Sequence, residues 1–192
     1  GSLEAEKRFW DFAIQVYYRL GYDFLWVWGR PIFPANPRIT EDTASKNGSH
    51  REWAETGKGP ISTWDDFNRY PWPTLTEEDL ELYYYVSSRL PEGMGMFVAN
   101  GDGFLEVVSN ILIGYENMCY MQYDDMDLLK TTIDMAASII CDSVKKMIEI
   151  PKVAGVFIGD DMGFGTSTLF SADFLRKHIL PWHKILAEST HD

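Results

Sequence analysis

The sequence predicts an α/β protein assembled from parallel βα units. Three observations carry that prediction. Short apolar runs rich in branched and aromatic side chains recur at Asp23–Trp28, Met94–Ala99 and Val153–Ile158. Segments with helical apolar spacing separate them. The last run is continuous rather than alternating, which suits a parallel strand covered on both faces. It passes at once into Gly159-Asp160-Asp161-Met162-Gly163-Phe164-Gly165. In parallel α/β folds, chemistry gathers in the loops leaving the C-terminal ends of strands. Asp160 and Asp161 stand in such a loop; the plainer alternative has Asp161 capping local backbone and Asp160 solvated.

The elements follow in order. Leu3 to Leu20 places Phe9, Phe12, Ala13, Val16, Tyr17 and Leu20 on one helical face, with Gly21 as a helix-ending residue. Asp23–Trp28 reads as a strand ending at Gly29-Arg30-Pro31. From Ile32 to about Pro73 the chain reads as irregular, an excursion over a site in which Trp53, Trp64 and Trp72 need something to bury against. Thr76 and Asp79 form a capping box that opens a helix with Leu82, Tyr83, Val86 and Leu90 inward. Met94–Ala99 is the second strand, leading through Asn100-Gly101-Asp102-Gly103 into a short helix that stops near Gly114. A longer helix runs from about Asp127 to Pro151, with Leu129, Ile133, Ala136, Ala137, Ile140, Val144, Met147 and Ile148 on one stripe. After the third strand, Ser171 caps a helix with Leu175, Ile179, Trp182 and Leu186 inside, and Pro181 is expected to kink it.

The chain of 192 residues is long enough for one domain with a substantial core, taken as residues 3–192, with Gly1-Ser2 set aside as a cloning scar. A formal charge of −12 argues against nucleic acid and anionic membranes as partners. No apolar run reaches the length of a membrane span. Cys119 and Cys141 form no metal or redox motif, which points to a reduced, cytoplasmic setting. His178 and His183 are five apart, not the one-turn spacing of a helical metal pair, and NGDGF lacks the lysine of a phosphate loop.

If the strands are parallel, their C-terminal ends share one rim. That rim collects Trp28 and Arg30, then Asn100 and Asp102, then Asp160 and Asp161. A guanidinium, an amide, carboxylates and aromatics together suit a polar organic ligand held at several points. Side chains on adjacent residues diverge, so the Asp160-Asp161 pair does not imply a metal. Three strands are too few for a closed barrel, which needs about 250 residues.

The segment GDDMGFGTSTLFS and the following ADFLRKHILPW resemble the uroporphyrinogen decarboxylase superfamily. KGPISTWDDFNRYPWP resembles the linker before that superfamily's central region, and MGMFVANGDGFLEVVSNILIG stands where its strand and glycine-rich element falls. The resemblance implies a (β/α)8 TIM barrel of which this chain is a central, incomplete piece. It implies a tetrapyrrole or corrinoid ligand, bound at the rim by Trp28, Arg30, Asn100, Asp102, Asp160 and Asp161, with no catalytic residue assigned. Arg30 occupies the position of the decarboxylase's catalytic aspartate, and Gly103-Phe104 lacks that family's proline. Together with the Asp160-Asp161 pair, this favours the methyltransferase-like branch. That branch uses zinc and a corrinoid. The zinc ligands are expected beyond Asp192, so no metal or cofactor is assigned to this stretch. Porphyrinogen decarboxylation is the alternative, and a non-catalytic domain whose acidic rim recognises a cationic partner is a third reading. The nearly all-apolar strands of an incomplete barrel further imply that one sheet face is covered by a homo-oligomer partner or by the rest of a barrel.

Overall fold

The computed structural model describes residues 2–35, 37–41, 50–54 and 58–191. Helix α1 (Leu3–Arg19) starts where Ser2 accepts a hydrogen bond from the Ala5 amide, so a residue set aside as a scar supplies the cap. Gly21 follows with a positive φ of 82°, and the chain turns into strand β1 (Phe24–Trp28). Strand β4 (Gly95–Asp102) lies beside β1, and β5 (Val153–Gly159) lies beside β4; all three are parallel. The register pairs Trp28 with Ala99 and Asp102 with Gly159, so the C-terminal ends of the strands form one rim.

The long excursion is more structured than its composition suggests. It contains an antiparallel pair, β2 (Pro37–Glu41) with β3 (His50–Ala54), and a short helix α2 (Trp64–Arg69). Thr63 and Asp66 form a capping box at the start of α2, a signal that sequence reading passes over amid the prolines. Phe67, Tyr70 and Trp72 interlock as an aromatic cluster against the core, while Trp64 stays largely exposed. Trp53 lies outside the residues whose side chains are described.

Helix α3 (Glu77–Arg89) opens on the expected box of Thr76 and Asp79. After β4 comes α4 (Phe104–Glu106), widening into a π-helical turn (Val107–Leu112), and then α5 (Tyr115–Asp124), a helix not expected from the sequence. Asp125 caps α6 (Met126–Met147), the long central helix. After β5 a second short helix, α7 (Ala172–Phe174), passes through another π-helical turn (Leu175–Ile179) into α8 (Leu180–His191). Pro181 lies ten residues into the unbroken helical run from Ala172 to His191, directly after the π-helical turn, which is where the run departs from regular α-helix.

Two apolar cores result. One lies between the sheet and the helices α1 and α3, and joins Trp10, Ile14, Leu82, Tyr83 and Val86 to Leu25, Val27, Met96 and Val98. The other surrounds α6 and gathers Phe104, Leu105, Leu112, Ile133, Ile140 and Ile179. The expectation that the strands are covered on both faces is not met. Burial alternates along β1, with Leu25 and Val27 inside and Phe24, Trp26 and Trp28 outside. No residue of β5 is fully buried. Trp26 stacks on Phe157 at 4.8 Å, and Phe24 meets the edge of Phe97 at 4.7 Å. Among the described residues the sheet therefore carries one helix-covered face and one bare aromatic face.

That bare face makes a solution property measurable. A hydrophobic dye is expected to bind the monomer, or else the chain is expected to self-associate in light scattering. Replacing Trp26 and Phe157 together by lysine is expected to suppress whichever is seen. A compact monomer with no dye binding would contradict the exposed aromatic layer.

Candidate functional site at the strand rim

The rim is organised by Asp160, the first residue beyond β5. Its side chain is only 2% exposed. It accepts hydrogen bonds from the Leu105 amide at 3.0 and 3.2 Å and from the Glu106 amide at 3.1 Å. These are the free N–H groups at the start of α4, whose own N-cap, Gly103, has no side chain to offer. His183 of α8 approaches the same carboxylate through Nε2 at 2.8 Å. Asp160 thus caps a helix 55 residues away in sequence and pins α8 to it. The plainer reading of the acidic pair is reversed: Asp160 does the capping, and Asp161 is the exposed one.

Gly103 is required for this contact. A Cβ there would lie 2.4 Å from the Asp160 Cβ and 2.5 Å from the Gly159 carbonyl oxygen. His183 is the residue that sequence reading misses. Its signal is periodicity: it lies four after Ile179 and three before Leu186, on the inward stripe of the helix. Phe104 meets its ring edge-on at 4.8 Å, which fixes the imidazole orientation. Glu106 is the second missed residue, in the first turn of the helix that follows β4.

Asn100 is buried, and its Nδ2 donates to the Asp102 carbonyl at 3.0 Å, leaving Oδ1 without a partner. Burial, with the Asp160 charge second, raises the Asp102 carboxyl above its ordinary 3.8. Glu106 is raised above 4.5, first by burial and then by Asp102, Asp161 and Asp160. No lysine or arginine pairs with Asp102, Glu106 or Asp161 among the described residues. Asn100, Asp102, Glu106, Asp160 and Asp161 therefore form one acidic group at the ends of β4 and β5.

Arg30 is not brought into that group, whereas Trp28 stays at the rim end of β1, paired in register with Ala99 beside Asn100. The Arg30 guanidinium pairs with Glu6 of α1 at 3.0 Å and with Asp79 of α3 at 2.8 Å, so it ties helices together on the covered side of the sheet. Trp28 is half-exposed and meets the edge of Trp10 at 5.7 Å. His178 packs on Phe174, and burial lowers its pKa. Burial pushes the Cys141 thiol up to about 11, which suits a core residue rather than a nucleophile. Among the described residues, no group of three or more His, Cys, Asp or Glu is placed to hold a metal ion. No described helix is long and apolar enough to cross a membrane.

No family profile matches the sequence, and no curated protein matches it. Among solved structures, a methyltransferase from Methanosarcina mazei superposes with a TM-score of 0.52 at 17% identity. The superposition covers 82% of this chain and 44% of that one, so the chain spans less than half the length of its structural neighbour. At that identity the likeness shows a shared α/β fold.

Two outcomes follow from the geometry. Asp160→Ala strands two helix amides and His183, so it is expected to cost about 3 kcal/mol and lower Tm by roughly 6–12 °C, as losses of buried partners do. Asp161→Ala is the exposed control, expected to fall within about 0.5 kcal/mol. The second outcome concerns pH. The folded state holds the Asp102 proton more tightly than the unfolded chain does. The associated stability is thus complete below the ordinary carboxylate range and is lost as pH rises through the raised folded value. Asp102→Asn is therefore expected to raise Tm relative to the parent near pH 7 and to leave it unchanged at about pH 3.

Proposed function

We propose that the chain is part of a methyltransferase-like enzyme of the uroporphyrinogen decarboxylase superfamily, whose strand rim binds a corrinoid or related tetrapyrrole. The observation that carries this reading is the convergence of Asn100, Asp102 and the Asp160–His183 pair at the C-terminal ends of parallel strands. Such rims host the ligand sites of α/β enzymes. The likeness to the Methanosarcina mazei methyltransferase supports the same fold. The bare aromatic face also fits this reading, because in a (β/α)8 barrel it would be the inward face, filled by strands of the same sheet.

Between methyl transfer and decarboxylation, Arg30 favours the first. Where the decarboxylase carries its catalytic aspartate, this chain has a guanidinium already neutralised by Glu6 and Asp79. It has no acceptor there with which to gather pyrrole N–H groups. A corrinoid supplies a methyl group transferable to a nucleophile. The chain's own residues would contribute hydrogen-bond acceptors at Asp102 and Asp161 and an aromatic surface at Trp28. The described residues do not assemble a zinc site, so a thiol-activating metal of the kind that branch uses would need other ligands.

The test is binding and turnover. Methylcobalamin is expected to quench tryptophan fluorescence saturably, and Trp28→Leu is expected to weaken that binding several-fold. With the full-length protein, loss of the methylcobalamin absorbance in the presence of a thiol, with S-methyl product, reports transfer. Binding of coproporphyrin without binding of methylcobalamin would move the assignment to decarboxylation. Binding of neither would leave a non-catalytic domain.

A further inference from the structure

Helix α1 has two apolar flanks, and only one of them has a partner. Trp10 and Ile14 are buried in the core shared with β1 and α3. At about 3.6 residues per turn, Lys7 and Asp11 fall to one side of that buried line. Both bond to α3, Lys7 to Glu81 at 2.8 Å and Asp11 to Arg89 at 3.0 Å. Phe9, Val16 and Leu20 fall to the opposite side, away from α3, with Phe12 behind them. They belong to the stripe that the sequence marks as the buried face, yet Phe9, Phe12 and Leu20 are exposed. Because Trp10 meets Trp28 of β1, this second flank overhangs the outer side of the sheet.

The strand beneath it is equally unguarded. β1 ends the sheet and pairs with β4 alone. The Gly95 amide donates to the Asp23 carbonyl at 2.9 Å, which sets the phase of the ladder. The backbone of Asp23, Leu25 and Val27 therefore turns toward β4, and that of Phe24, Trp26 and Trp28 turns away. Among the described residues, no backbone group bonds those three on the outer side. Edge strands are ordinarily protected by charge, proline or a bulge, and Phe24-Leu25-Trp26-Val27-Trp28 has none of these.

The strand is also symmetric about Trp26 in its alternation of aromatic and aliphatic side chains. A two-fold axis through Trp26, perpendicular to the sheet, pairs two such strands antiparallel. Trp26 then lies opposite Trp26 and Phe24 opposite Trp28, so that aromatic meets aromatic on one face and aliphatic meets aliphatic on the other. The same axis brings two α1 flanks together above the seam. It also sends the two acidic rims to opposite ends of the joined sheet, which keeps apart the charge of chains that each carry −12. The areas agree. Phe9, Phe12, Phe24, Trp26 and Trp28 are between 38% and 67% exposed. At roughly 150–250 Å² per aromatic side chain, they leave about 500 Å² of apolar surface uncovered. A standard interface takes about 800 Å² from each partner, somewhat more than half of it apolar.

We propose that β1 is a dimerisation edge whose occupant is the β1 of a second copy of this chain, paired antiparallel about Trp26. Phe9, Phe12 and Val16 of the two α1 helices pack against each other across the axis. The pairing rests on no part of the methyl-transfer reading.

The unaltered chain supplies the first test. Sedimentation is expected to show a concentration-dependent dimer that grows no further. Residue-resolved hydrogen exchange is expected to find the Trp26 and Trp28 amides protected where the dimer dominates and fast on dilution. The Leu25 and Val27 amides, bonded to β4, are expected to stay protected throughout. Trp26→Pro removes an outward N–H without touching the β4 ladder and is expected to abolish the dimer. Trp26→Ala keeps that N–H and is expected to weaken the dimer by about tenfold, the usual worth of an aromatic pair. A monomer at the highest soluble concentration would overturn the proposal and leave the edge to a strand from a longer polypeptide. Growth beyond the dimer, or a dimer whose Trp26 amide exchanges freely, would overturn it in favour of contact through the bare aromatic face. A folded Trp26→Pro protein that still dimerises would do the same.

Discussion

Everything at the rim depends on one buried carboxylate. Asp160 sits at the end of β5, yet its partners come from the start of α4 and the first turn of α8. Burying a carboxylate away from water is unfavourable unless hydrogen bonds replace those it loses. Here two helix amides and an imidazole do so, and the helix gains an anion at its positive end. The contact requires Gly103, because any larger residue would push the acid off the helix. Three segments distant in sequence are thereby held at one point. The positions of Asp102 and Glu106, on either side of that point, follow from it.

The sheet imposes the second constraint. Three parallel strands have two faces and two edges, and the helices α1 and α3 cover only one face. The other face carries Phe24, Trp26, Trp28 and Phe157, which pair among themselves or meet the edge of a neighbouring ring. At roughly 25 cal/mol per Å² of apolar surface, an uncovered aromatic layer is a standing incentive to association. An aromatic layer also differs from the polar outer face of an ordinary one-sided sheet, where period-two alternation would place charged residues. The composition of the bare face is that of an interior.

Much of this was legible in the sequence, and the failures have specific causes. The three strands, the capping box of Thr76 and Asp79, and the stripe of α6 stood out because period and caps agree there. The pair β2 and β3 did not, because strands of five residues in a polar stretch leave little pattern. Helix α5 was missed because Tyr115–Asp124 buries only Met118 and Met121, too few apolar positions to trace a face. Strand position alone puts Asn100, Asp102, Asp160 and Asp161 at the ends of β4 and β5, where the structure has them. Arg30 was placed with them on the same logic, which gives the end of a strand but not the side to which a long chain turns. Glu6 and Asp79, close in space and 73 residues apart in sequence, decide that side.

The acidic group also separates two uses of a carboxylate that sequence alone cannot tell apart. Asp160 is the more buried, but its oxygens meet two amides and a histidine, so it is occupied with holding the fold. Asp102 is less buried, yet burial and a neighbouring charge raise its pKa, and no cation among the described residues offsets either effect. Asn100 shows the same contrast within one side chain, with a satisfied amide nitrogen and an unsatisfied oxygen. A structural polar group is one whose partners are already inside the protein. A group whose partner is missing is destabilising in the free chain, and that cost is recovered when a molecule of complementary chemistry arrives. By that criterion Asp160 and His183 are the frame of the rim, while Asn100 Oδ1 and the Asp102 carboxylate are its polar groups without a side-chain partner among the described residues.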